Sequence, residues 1–163
     1  MFRQMFIPAA ALALTVLSAP LFAGEQHAPS HTTALGLAGY SPVSYFTNAD
    51  PHVGSPEFAA THEGVTYFFA NAQEQSTFEA DPGRYAPAYG GWCAYGMAVD
   101  NYFPVDPTLY KIVDGRLFLF LSNDQANALE LWNAGDEAVL TQKADTFWGA
   151  ENAPSTAKAE VAE

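Results

Sequence analysis

Cys93 is the residue whose type and setting most directly suggest chemistry. It is the only cysteine in the chain and lies in the segment Tyr89-Gly-Gly-Trp-Cys-Ala-Tyr-Gly-Met97. A single cysteine excludes an intramolecular disulfide, a dithiol redox cycle and a cysteine-only zinc site within one chain. Two interpretations stay open: a thiol that binds a soft metal or reacts as a nucleophile, and a small buried side chain that only packs.

Met97 and His62 are the residues that could join Cys93 in a ligand set. Met97 lies four residues after Cys93, in a segment without a predicted helix, and His62 precedes the Glu63-Gly64 dipeptide. Thiolate, thioether and imidazole together form a soft set that favours monovalent copper over zinc or magnesium. Methionine also fills cores, and a histidine on a strand is often only hydrogen-bonded. The first hypothesis is therefore a copper or other soft-metal site made by Cys93, His62 and Met97.

The rest of the sequence contains no catalytic constellation. A phosphate-binding glycine loop, a nucleophile elbow, a zincin helix and a kinase signature are all missing. The formal net charge is -12, from 18 acids and 6 bases, which argues against nucleic acid and anionic lipid surfaces as partners. Aromatic residues accompany Cys93 and could line a partner surface or pack the core. They are Trp92, Tyr95, Tyr102 and Phe103.

The two ends of the chain are predicted to lie outside the folded unit. Residues 1–23 have a basic start, an uncharged apolar run and a small residue before a cleavage point, which is typical of a signal peptide cut after Ala23. We therefore expect a periplasmic or secreted protein; an uncleaved anchor is the alternative. Residues 24–34 are predicted to be a flexible leader and residues 150–163 a disordered tail. Residues 35–149 remain as one domain.

Alternating apolar patterns predict two β-hairpins within this domain. Their turns are Glu63-Gly64 and Asp114-Gly115, dipeptides that suit a tight turn with positive φ. The predicted strands are residues 58–62, 65–70, 109–113 and 116–121. No internal repeat of fixed period is visible.

Polar residues before apolar periodic stretches predict four short helices. Residues 86–108, rich in proline and glycine, are predicted to be irregular. Short strands mixed with short helices indicate a small α+β domain of antiparallel hairpins. The helices are expected from Ser41 to Phe46, from Asn71 to Ala80, from Asn123 to about Asn133, and from Asp136 to about Trp148.

Several of these segments resemble a known family. His62-Glu-Gly-Val-Thr-Tyr-Phe-Phe-Ala-Asn71 and Phe78-Glu-Ala-Asp-Pro-Gly-Arg-Tyr85 resemble the YHS domain. Gly39-Tyr-Ser-Pro-Val-Ser-Tyr-Phe46, Tyr85-Ala-Pro-Ala-Tyr-Gly-Gly-Trp-Cys-Ala-Tyr-Gly96 and Ile112-Val-Asp-Gly-Arg-Leu-Phe-Leu119 are similar to its secreted branch, the YHS domain-containing (seleno)proteins. The resemblance implies a YHS-like fold and a role in handling transition metals.

The resemblance supports the metal role only in part. YHS modules usually carry two cysteines at the junction between strand and helix, and here Ala70 and Glu74 occupy those positions. His62 matches the family's histidine. The name of the branch implies selenocysteine in some members, and Cys93 is the matching thiol here.

Three functions therefore stay open. The first is a small exported YHS-type module that binds copper or another soft metal through Cys93. The second is a redox protein or sensor in which Cys93 is a nucleophile resolved by an external thiol partner. The third is a non-catalytic interaction domain in which Cys93 is structural and the aromatic residues bind a partner.

Overall fold

Two β-hairpins organise residues 34–47 and 50–152, which are the residues that the computed structural model describes. The first consists of strands β2 (Ser55–His62) and β3 (Val65–Phe69), and the second of β4 (Asp106–Val113) and β5 (Arg116–Phe120). Both predicted turns are confirmed, with positive φ at each residue of their central dipeptides. The predicted signal peptide and most of the predicted leader and tail lie outside the described residues.

A short first strand makes the larger sheet mixed. Strand β1 (Ala34–Leu35) pairs in parallel with β3, giving the strand order β1-β3-β2. The two hairpins are antiparallel as predicted, whereas this parallel pair was not predicted. The described residues form a small α+β domain with this sheet, a separate hairpin and six helices. These are α1 (Ser44–Thr47), α2 (Ala72–Ala80), α3 (Pro82–Tyr85), α4 (Ala94–Ala98), α5 (Ala128–Ala134) and α6 (Glu137–Glu151).

Two of the four predicted helix starts are confirmed. The side chain of Asn71 accepts a hydrogen bond from the backbone of Glu74 and caps α2, and Asp136 caps α6 in the same way. Asn123 is wrong as the cap of α5. Its side chain instead accepts hydrogen bonds from the backbone N–H groups of Gln125 and Ala126, and Asn127 caps the helix.

The two remaining differences lie in the loops. The helix expected from Ser41 begins only at Ser44, since Ser41 uses its hydroxyl elsewhere. Residues 86–108 are not wholly irregular, because they contain α4. No helix in the described part of the chain is long and apolar enough to cross a membrane.

The second half of the domain follows the backbone course of the first. In residues 34–85 a short strand leads into a turn with positive φ at residues 37–39, then a helix, a hairpin and two further helices. Residues 86–152 begin with a parallel bridge and then take the same course, with the positive-φ turn at residues 89–91. We call these two ranges repeat 1 and repeat 2.

The strand pairing matches in detail between the repeats. The register of the first hairpin skips between Ser55 and Ala59, and that of the second skips between Asp106 and Tyr110. Strand β1 pairs in parallel with β3, and Pro87 forms a parallel bridge to β5. Matched positions in the two hairpins lie 51 residues apart, as Ser55 and Asp106 do, and the two positive-φ turns lie 52 residues apart. The expectation of no internal repeat is therefore wrong for the backbone.

Strand β5 joins the buried clusters of the two repeats. Alternate side chains of a strand point to opposite faces. Phe118 and Phe120 lie in the cluster of repeat 2, whereas Leu117 and Leu119 lie in the cluster of repeat 1. All four are at most 1% exposed, so β5 is buried on both faces and fixes the two repeats against each other.

Candidate functional site

Cys93 lies in the core of repeat 2, immediately before α4. Its side chain is 0% exposed. The sulfur accepts hydrogen bonds from the backbone N–H of Gly96, at 3.5 Å, and of Leu121, at 3.4 Å. The first contact caps α4, and the second satisfies the amide at the end of β5. The thiol therefore connects a helix start to a strand end.

Gly96 lets the chain pack closely beside this thiol. A Cβ atom at Gly96 would lie 2.8 Å from the carbonyl oxygen of Asn101 and 2.9 Å from the ring of Phe103. The backbone N–H of Cys93 also donates to the carbonyl of Phe103, at 3.2 Å. Residues 101–103 thus pack tightly against the backbone at the start of α4.

The structure brings two of the three predicted ligands together and places the third beside a different cluster. Met97 is 0% exposed and lies with Cys93 in the core of repeat 2. The ring of His62 instead contacts the edge of Phe78 in the core of repeat 1, with 6.2 Å between ring centroids. Within residues 34–47 and 50–152, no group of three or more His, Cys, Asp or Glu side chains is placed to hold a metal ion.

Repeat 1 has a polar junction at the place that corresponds to Cys93. Ser41 follows the positive-φ turn as Cys93 does, and its hydroxyl donates to a carboxylate oxygen of Glu74 at 2.6 Å. The same oxygen accepts from the backbone N–H of Ala70 at 3.1 Å. The other carboxylate oxygen lies 2.9 Å from Nε2 of His52. We call Ser41, Glu74 and His52 the acidic junction.

The acidic junction and the thiol satisfy the same backbone group in different ways. Ala70 follows β3 as Leu121 follows β5, and each needs an acceptor for its N–H. In repeat 1 the acceptor is the Glu74 carboxylate, and in repeat 2 it is the Cys93 sulfur. Burial alone would raise the pKa of Glu74, but the hydrogen bonds from Ser41 and Ala70, with nearby His52, outweigh it and hold that pKa below its ordinary value.

An exposed aromatic patch lies beside the buried thiol. Trp92 is 41% exposed and Tyr102 is 39% exposed, and their rings meet edge to face with centroids 5.3 Å apart. The ring of Tyr102 also contacts Phe147 of α6, at 5.6 Å. We call these three residues the aromatic patch. Tyr95 and Phe103, the other aromatic residues singled out in the sequence, pack partly buried against the core of repeat 2.

A groove of about 500 Å³ runs between the two repeats. It is lined on one side by the turn after β2 and on the other by residues of β5 and the end of α6. His62 is among the lining residues, so the predicted metal ligand faces this groove. The other polar lining side chains are Glu63, Arg116 and Asn152, and the aromatic ones are Tyr67, Tyr89 and Trp148.

Arg116 is held in place at this groove by a network within repeat 2. Its guanidinium donates two hydrogen bonds to Asp145, at 2.8 and 3.1 Å, and lies over the rings of Tyr89 and Phe118. The hydroxyl of Tyr89 donates to the same carboxylate at 2.9 Å. Hydrogen bonds from Arg116 hold the pKa of Asp145 below its ordinary value. Burial, and then the bond to Asp145, raises the pKa of Tyr89.

Sequence reasoning missed both networks. The spacing of Asn71 and Glu74 indicated a capping box, which explains the cap but not the contact of Glu74 with Ser41 and His52. Arg116 and Asp145 are far apart in sequence, so no local pattern could pair them. Comparison of the chain with family models, curated proteins and solved structures finds no match.

Proposed function

We propose that this chain is a non-catalytic interaction domain of the YHS type, in which Cys93 stabilises the fold and the aromatic patch binds a partner protein. The observation that carries the proposal is the contrast between the two features. The only thiol has no exposed surface and its sulfur already accepts two backbone hydrogen bonds. The neighbouring rings of Trp92 and Tyr102 are open to solvent.

Exposed aromatic side chains in mutual contact suit a protein interface. Tryptophan and tyrosine are enriched at such interfaces because they bury a large area and lose few rotamers. Val99, the residue directly after α4, is another large apolar residue and is 46% exposed. Because the chain is strongly acidic, we expect the partner to present basic side chains around an apolar centre.

The metal and redox hypotheses stay predictions. Either one needs the sulfur of Cys93 to contact a metal or an external thiol, and the side chain, which is 0% exposed, would first have to become accessible. The ring of His62 packs against Phe78 of the other cluster, so it would have to move to join Cys93 in a ligand set. We also propose that the protein is exported to the periplasm or the medium, as expected from residues 1–23.

The test is site-specific photocrosslinking in the source cells. A photoreactive residue replaces Phe147 at the edge of the patch, in an otherwise wild-type chain and in a Trp92→Gln, Tyr102→Gln variant. We expect one discrete crosslinked protein that disappears in the double variant. Ile112→Gln is the matched control, because Ile112 is 37% exposed but lies on β4.

The outcome also separates the role of the thiol from that of the patch. Cys93→Ser should lower stability but keep the crosslink under conditions where the variant is folded. Loss of the crosslink in folded Cys93→Ser, or its persistence in the double patch variant, would contradict the proposal.

A further inference from the structure

The groove between the repeats has the composition of a small-molecule site. Ligand sites are typically concave, lined by apolar and aromatic side chains with a few polar groups, and lie between structural units. The groove has a volume of about 500 Å³ and lies where repeat 1 meets repeat 2. It is separate from the aromatic patch, since none of Trp92, Tyr102 and Phe147 lines it.

Aromatic side chains form the apolar part of the groove. Tyr67 and Tyr89 are nearly buried and provide its floor. Trp148, at the end of α6, packs edge-on against Tyr89 with 6.3 Å between centroids. Gly90 makes room for this ring, because a Cβ atom there would lie 3.0 Å from it. A planar ligand in the groove could therefore pack against the partly buried indole ring of Trp148.

The polar part of the groove presents both signs of charge. The side chain of Arg116 is 41% exposed, and its guanidinium is oriented by Asp145 and the ring of Tyr89. Two of its five N–H donors go to Asp145, which leaves donors for a ligand carboxylate. Glu63, exposed in the turn next to His62, supplies a carboxylate for a ligand ammonium group.

We propose that this groove binds an aromatic amino acid. The aromatic side chain of the ligand would pack against Trp148 above Tyr67. Its carboxylate would meet Arg116, and its ammonium group would meet Glu63. A ligand with only one charge would leave one of these two groups without its complement, so the zwitterion is the form that the groove selects.

The test uses three probes that share an indole ring and differ in charge. They are L-tryptophan, tryptamine, which lacks the carboxylate, and indole-3-propionate, which lacks the ammonium group. Each is titrated into the protein while amide chemical shifts are followed by NMR. We expect L-tryptophan to shift the amides of Glu63 and Gly90, and to bind about tenfold more tightly than either singly charged probe, as for one charge-assisted hydrogen bond.

Variants of the groove make the test specific. Glu63→Gln should weaken L-tryptophan to the level of indole-3-propionate and leave indole-3-propionate itself unchanged. Gly83→Leu should abolish binding, because Gly83 lines the groove and a Cβ there meets no atom within 4 Å, so the added side chain enters free space. Gly149→Leu is its control, since Gly149 is equally unobstructed, does not line the groove and lies in α6.

Three results would overturn the proposal. They are no saturable shifts with L-tryptophan, equal affinity for all three probes, and shifts that map to the aromatic patch instead of the groove. If Gly83→Leu does not fold, Glu63→Gln and the charge series still decide the matter.

Discussion

Replacing Cys93 tests directly whether the thiol is structural. Cys93→Ala removes the acceptor of two backbone N–H groups, those of Gly96 and Leu121. An unsatisfied buried amide costs about 1–3 kcal/mol, and the long, weak bonds to sulfur place each one near 1 kcal/mol. The space left by the sulfur adds about 1 kcal/mol. We therefore expect Cys93→Ala to lower the free energy of unfolding by about 3 kcal/mol.

Cys93→Ser should rescue little of this loss. Repeat 1 contains a serine at the corresponding position, and there the hydroxyl of Ser41 does not accept from Ala70. The carboxylate of Glu74 lies between them and accepts from both. In repeat 2 the matching acid, Glu130, is exposed and accepts from Asn127 instead, so Cys93→Ser should recover at most about 1 kcal/mol.

The measurement is equilibrium unfolding in urea at pH 7 under reducing conditions, followed by tryptophan fluorescence. Ser41→Ala is the counterpart in repeat 1 and should cost only about 1 kcal/mol, because Ala70 keeps its acceptor. A loss below about 1 kcal/mol for Cys93→Ala would refute a structural role for the thiol. Such a result would favour the metal or redox role of Cys93 over the structural one.

Three further predictions address the junction, the backbone and the metal. Glu74→Gln should destabilise the protein by about 1–2 kcal/mol at pH 7. Since the folded pKa of Glu74 is lowered, its stabilisation is present above the ordinary value of 4.5 and is lost as the pH falls through the folded value. The difference from wild type should therefore shrink in urea titrations as the pH is lowered below 4.5, and a constant difference would contradict the assignment. Gly54→Ala should lower the stability by about 3 kcal/mol, because its Cβ would lie 2.4 Å from the backbone of Phe68 and Phe69. Gly149→Ala should instead raise the stability by about 0.5–1 kcal/mol, because alanine has the higher helix propensity. Thermal unfolding measures both variants, and equal effects would argue against this packing. Monovalent copper should bind wild type and Cys93→Ser equally weakly in a competition titration under reducing conditions, and a tight complex lost in the variant would instead support the metal hypothesis.

The local elements of the fold were predictable where a short sequence pattern determines the backbone. Both hairpins turn at an acidic residue followed by glycine, and these dipeptides alone specify tight turns with positive φ. Asn71 and Asp136 cap their helices as expected. The prediction at Asn123 was wrong because an asparagine side chain can also accept hydrogen bonds from backbone N–H groups in a tight turn. Only the tertiary structure selects Asn127 as the helix cap.

Long-range contacts were not predictable in the same way. The parallel pairing of β1 with β3 involves only two residues, and so short a strand carries no periodic pattern. The burial of Cys93 was one of two open interpretations, because the acceptor contacts of its sulfur with Gly96 and Leu121 depend on the tertiary fold and not on a local pattern. The contact between His52 and Glu74 joins residues 22 positions apart, so no local spacing in the sequence predicts it.

The two repeats give an internal comparison that bears on the thiol. Both must end the second strand of a hairpin beside the start of a short helix, and both leave an N–H that needs an acceptor. One repeat uses a carboxylate held by Ser41 and His52, and the other uses the sulfur of Cys93. Because two unlike groups serve the same backbone position, the geometry of the junction is sufficient reason for a hydrogen-bond acceptor there. A cysteine at this point therefore requires neither a metal nor a redox partner to explain it, and ligand binding is better sought at the exposed rings and in the groove between the repeats.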